Sequence, residues 1–157
     1  MGVSVTGGDK LKAHLRKMRT HLTEAQFVEV GFFPEDTHPK NGLPVAAVAY
    51  ANEVGDPLNT FEGHPAPIPP RPFMRHTIAM NQPDWNEAFH AALRAVDFHS
   101  LPALQGFGEL IQMQIKNSIE TWSVPMNSPT TVKLKGFNNP LIETGYILDH
   151  VKVKVQE

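Results

Sequence analysis

Residues 102–122 read PALQGFGELIQMQIKNSIETW. Leu104, Phe107, Ile111, Ile115, Ile119 and Trp122 recur at three- and four-residue steps, the period of one helix face. Pro102 suits a first helical turn, where its missing amide donor is not needed. Pro125 stops the run, because the residue before a proline is pushed out of helical geometry. Upstream, Asp84 is expected to cap a second helix whose stripe is Trp85, Phe89, Leu93 and Val96. These two helices are expected to supply much of the core. Phe73 to Asn81 opens a helix that Pro83 is expected to interrupt.

The rest of the chain is arranged around that pair. Asp9 is a plausible N-cap for an amphipathic helix with Leu11, Leu15, Met18 and Leu22 on one stripe. Phe27 to Phe33 is a β-rich run ended by Pro34, with Val28, Val30 and Phe32 on one face. Glu35 to Pro44 reads as a loop, and Val45 to Val54 as a short helix closed by Gly55. Asp56 to Pro72 holds six prolines, which forbid a regular helix or a central strand. It is either a partner-binding arm or a loop packed on its own domain. Asn127 to Thr131 is turn-like and starts a short helical segment; Lys135 to Pro140 is a further loop. Val151 to Val155 alternates strictly and reads as a strand that pairs with Phe27–Phe32. The expected class is α+β: several helices packed on a small, mainly antiparallel sheet, with a long Pro-rich loop at 56–72. A chain of 157 residues is expected to form one domain, with a flexible terminus at 1–8.

Cysteine is absent, which removes disulfides, thiolate metal sites and cysteine nucleophiles. The longest apolar run, Val45 to Ala51, is far shorter than the roughly 20 residues of a membrane span. No apolar region follows the basic start, so no leader is expected. A soluble protein with no membrane partner follows. Lys10, Lys12, Arg16, Lys17 and Arg19 stand against Asp9 alone, a net of +4 over residues 1–22. With −2 for the whole chain, the remainder carries −6. An acidic body is a poor footprint for a dedicated DNA binder, and the basic stretch is read as a solvated helix face.

Three segments, in order, carry a resemblance. They are Ala49-Tyr50-Ala51-Asn52-Glu53-Val54-Gly55, then Ile68-Pro69-Pro70-Arg71-Pro72-Phe73-Met74-Arg75, then Lys135 with Pro140-Leu141-Ile142-Glu143-Thr144-Gly145. Together they resemble the tail-component (tail-completion or neck) proteins of tailed bacteriophages, and the related Mu-type virion-morphogenesis proteins. The likeness covers roughly residues 25 to 155. Val54 stands where Phe is commoner and Glu143 where Asp is commoner. Tyr146 to His150 replaces a basic, Ser-containing pattern. The resemblance implies a virion structural protein, made in the host cytoplasm. It implies a homo-oligomeric ring that joins or completes the head–tail junction. Its implied partners are copies of itself, the connector or portal-side proteins, and tail-tube or terminator proteins. Genomic DNA would pass through without specific binding. A tail terminator is the alternative within that class, and a small DNA-binding or packaging accessory the alternative outside it.

Residue chemistry adds candidate interaction positions. Arg71 lies between prolines that hold the backbone extended, so its guanidinium is presented at little entropic cost. Glu53 and Asp56 are its candidate acidic partners, within the domain or on a neighbouring copy. Phe73 is placed to anchor the end of the loop, with Arg75 beside it. Thr144 fits an N-cap whose loss costs about 1 kcal/mol. No enzyme is expected. The eight histidines show no familiar ligand spacing; His14 and His21 can share a helix face, but no third ligand is evident. Asp97, His99 and Ser100 are adjacent in sequence, which is not triad geometry. No nucleophile elbow or phosphate-binding glycine loop occurs. Catalytic residues, metal ligands and cofactors are therefore expected to be none.

Overall fold

The structure, a computed structural model, describes residues 7–39, 42–61 and 63–156. Residues 1–6 of the expected flexible start lie outside the described residues; Gly8 already belongs to a helix. The elements in chain order are α1 (Gly8–Leu22), β1 (Phe27–Gly31), α2 (Val45–Val54), β2 (Thr60–Phe61), β3 (His64–Pro65), α3 (Phe73–Ala95), α4 (Ser100–Thr121), α5 (Pro129–Lys135), α6 (Tyr146–Asp149) and β4 (Lys152–Gln156). Helices packed on a small antiparallel sheet make this an α+β fold.

The α3–α4 hairpin is the spine. The apolar stripes read from the sequence meet across it, with Phe107 against Trp85 and Phe89. The Trp85 indole Nε1–H donates to Gln114 Oε1 at 2.9 Å, so the half-buried ring keeps a polar partner. One expectation needs correcting: α3 does not break at Pro83 but runs through it as one 23-residue helix. Both halves of α3 are held against α4. Pro83 and Ala79, whose carbonyl loses its donor, are exposed, so water can serve that oxygen. The turn into α4 sets Asp97 and Phe98 at φ +50° and +63°, a region costly for side-chain-bearing residues. Phe98 N–H closes it by donating to Leu93 O at 2.8 Å.

β1 and β4 pair antiparallel, with Val30 opposite Val153 and Phe27 opposite Gln156. The two strands expected to pair do so. The sheet lies on α4 at Gly108, where an added Cβ would stand 2.5 Å from Val153 Cγ1 and 2.7 Å from Val28 Cγ2. Only a residue without a side chain lets the sheet approach that closely. The core gathers Ala49, Phe73, Ile115, Ile119, Leu141 and Val151. Phe32 meets Phe73 edge to face, centroids 6.2 Å apart.

The Pro-rich stretch is not wholly irregular. Asp56 and Ile68 exchange backbone hydrogen bonds of 2.8 Å, and the short strands β2 and β3 pair within that closure. The stretch from Asp56 to Ile68 is thus a small hairpin. α1 differs from expectation in packing. Its N-cap is Gly7, with no side-chain cap, and Asp9 lies in the first turn. Its apolar stripe does not enter the core: Leu11, Leu15 and Leu22 are 59%, 54% and 44% exposed. Only His21 of this helix is buried.

Candidate functional site

The three segments behind the family resemblance meet in space. Gly55, at φ +84°, ends α2, and a Cβ there would stand 2.9 Å from Pro70 N and 3.0 Å from Ile68 O. Glycine therefore lets the Pro-rich segment cross the end of α2. The Arg71 N–H donates to Asn52 O at 2.7 Å, tying the first segment to the second. The Arg71 side chain then turns inward, 8% exposed. Its Nη1 donates to Asn52 Oδ1 at 3.0 Å and its Nη2 to Asn127 Oδ1 at 3.4 Å. Nε finds no acceptor among the described residues.

Asn127 hands the connection to the third segment. Its Nδ2 donates to Asn139 O at 3.1 Å, which Lys135 Nζ also reaches at 2.7 Å. Asn139 Oδ1 accepts from the Leu141 and Ile142 amides, and its Nδ2 reaches the carbonyls of Ile119 and Glu120 at the end of α4. Burial lowers the Arg71 pKa. Burial also lowers that of Lys135, with Glu143 pulling the other way.

Arg71 is thus a buried cation held by neutral amides. No carboxylate lies within ion-pair distance of it among the described residues. Glu53 instead serves α3. Its carboxylate accepts from the Met74 and Arg75 amides at 2.9 and 3.1 Å, and from Arg75 Nε at 2.9 Å. Arg75 Nη2 closes the pair on Glu53 O at 3.0 Å. The first-turn amides of a helix lack internal acceptors and carry partial positive charge, so they draw this carboxylate more strongly than a distant guanidinium does. Asp56 Oδ1 accepts from Leu58 N within its own turn. Phe73 is fully buried in the core. Thr144 is exposed and makes no cap; Gly145, at φ +80°, takes the N-cap position of α6, and Asp149 N–H closes on its carbonyl at 2.9 Å.

A second cluster was not legible in the sequence. His21, Glu24 and His99 place ligand-type atoms within 4.8 Å of one another. His21 and His99 stack, centroids 3.4 Å apart and planes 22° from parallel. His21 Nδ1–H donates to Asp97 O at 3.1 Å, and His99 Nδ1 lies 2.7 Å from Glu24 Oε1. Imidazole lone pairs lie in the ring plane, so near-parallel stacked rings aim theirs side by side rather than at one point. The geometry is that of a tether, fixing the end of α1 to the α3–α4 turn. Lys17 adds an exposed ion pair to Asp97 at 3.2 Å. The Ser100 hydroxyl accepts from Ala25 N at 2.9 Å, so Asp97, His99 and Ser100 serve three separate contacts.

Two open depressions mark the surface. A polar cleft between α3 and α4, about 440 Å³, is lined by His76, Asn81, Gln114, Asn117 and Trp122 among others. An apolar groove of about 490 Å³ runs between β1 and α2, floored by Phe73 and Met74. No helix among the described residues is long and apolar enough to cross a membrane. The chain matches no protein-family model, no curated protein and no solved structure.

Proposed function

We propose that this chain is a non-enzymatic structural component of a tailed-phage particle. In this reading it completes the junction between head and tail as a ring of identical copies. One observation carries the reading. The three segments that resemble tail-completion proteins are far apart in sequence, yet they are joined through Asn52, Arg71, Asn127 and Asn139 into one hydrogen-bonded node. In that node Asn52 and Arg71 join the first two segments directly, and Asn127 and Asn139 carry the link to Lys135, Leu141 and Ile142 of the third.

A ring of identical copies uses heterologous interfaces, in which one patch meets a different patch on the next copy. The acidic body suits a channel that must release DNA, since like charge weakens retention. The alternative of a DNA-binding accessory draws on one observation, the exposed basic face of α1. Deleting the gene from its parent phage and imaging the lysate separates these readings. The expected result is filled heads and separate or malformed tails that fail to join. Normal infectious particles would remove the assembly role. Empty heads would favour a packaging accessory.

A further inference from the structure

α1 presents an apolar stripe that is largely exposed, with only Met18 half-buried. Leu11, Leu15 and Leu22 follow the spacing of a helix made to lie in a groove, with Met18 between them. The helix is held at its C-terminal part, through Lys17 and His21 to Asp97. The groove between β1 and α2 is the complementary surface. Val30, Phe32 and Phe33 form one wall and Ala49 and Tyr50 the other, over Met74. Tyr50 is 67% exposed at its lip. Glu29 borders it, as does Glu53, whose carboxylate is already paired with Arg75. α1 carries the +4 of residues 1–22, and the rest of the chain carries −6.

Geometry decides how these surfaces can meet. The groove is floored by Phe73 and Met74, at the start of α3. α1 is tied to Asp97, just past the end of α3. A 23-residue helix is about 34 Å long, so the two attachment points stand at opposite ends of α3. We infer that α1 of one copy docks in the β1–α2 groove of the next, leucine stripe inward and basic flanks toward the acidic body. The contact is head-to-tail and repeats from copy to copy, closing into a ring where the rotation allows. The inference rests on the ring reading proposed above and names the surfaces that build it.

The chain has no cysteine, so introduced thiols report one contact cleanly. Leu15→Cys and Tyr50→Cys fall at exposed positions, as does a control, Leu134→Cys. The single variants are mixed pairwise at high concentration and oxidised. The mixture of L15C with Y50C should yield at least about tenfold more linked dimer than L134C with Y50C, as a docked pair raises the local thiol concentration. The double variant L15C/Y50C should build a ladder of linked oligomers, while L15C alone should give little dimer. Linking no better than the control overturns the inference. So does dominant L15C–L15C product, which assigns the stripe to paired α1 helices. Retention of the unmodified chain on anionic vesicles, lost in Leu11→Glu/Leu15→Glu and without the cross-link, also overturns it and gives the stripe to a lipid surface. The two readings fail separately. A cross-link beside normal particles after gene deletion removes the virion role alone. Failed head–tail joining without a cross-link removes the docking contact alone.

Discussion

Glu53 and Arg75 form an ion pair whose two halves differ in consequence. The Glu53 side chain is 11% exposed and the Arg75 side chain 64%. Removing Arg75 leaves Glu53 with two helix amides, and the exposed half of such a pair contributes little. Removing the carboxylate leaves the first-turn amides of α3 without their acceptor. Glu53→Ala should therefore destabilise the fold by about 2–3 kcal/mol, and Arg75→Ala by less than about 1 kcal/mol, measured by urea unfolding. Gly108 offers a second contrast. Gly108→Ala adds a methyl into Val153 and Val28 and should cost about 1–3 kcal/mol despite the better helix propensity of alanine. Combining it with Val28→Ala should recover part of that loss in a double-mutant cycle. Neither role can be read from the sequence. Arg71 between prolines signalled a presented cation, but which acceptor it would meet depends on how α2, α3 and the Asn127 loop come together. Glu53, a candidate partner of Arg71 by sequence, pairs with Arg75 instead. The helix-start amides that outbid Arg71 exist only once α3 begins at Phe73. Thr144 has the composition of a cap, but Gly145 reaches the required left-handed backbone without strain and takes the place.

Helix periodicity located α3 and α4 well, because their stripes are long and face each other. Pro83 misled, since a missing hydrogen bond is tolerated where both flanks are packed and the freed carbonyl is exposed. Pro83→Ala should restore that bond and stabilise the protein by about 1–3 kcal/mol, seen as a higher melting temperature. A lower one would mean that the helix needs its proline. α1 shows the opposite limit: periodicity reports a stripe but not what covers it. Its attachment is partly electrostatic. The Lys17 ammonium, by hydrogen bonding and by charge, holds the Asp97 carboxyl below the ordinary aspartate range. A lowered carboxylate pKa stabilises fully above the ordinary value, about 3.9, and the contribution fades as pH falls through the folded value. Amide protection in residues 8–22, corrected for the intrinsic exchange rate, should therefore fall below about pH 3.9 and at high salt, by a small factor because the pair is exposed. In Lys17→Ala that acid step should vanish. An unchanged step would assign the attachment to the His21–His99 stack alone.

The architecture of the whole chain was legible to the extent that it follows from pattern: two long helices, a terminal alternating strand, and a β-rich run for it to pair with. The His21–Glu24–His99 tether was not, because it joins residues about 75 positions apart that no local spacing connects. The same holds for the node at Arg71, whose members are scattered from Asn52 to Asn139. The exposed leucines of α1 and the open groove between β1 and α2 are the surfaces on which the proposed assembly role draws. The most direct test of the assembly account is immunogold electron microscopy of purified particles of the parent phage, using antibody against this chain. Gold at the junction between head and tail is the predicted result. Particles without label, with the chain left in the soluble lysate, would contradict it.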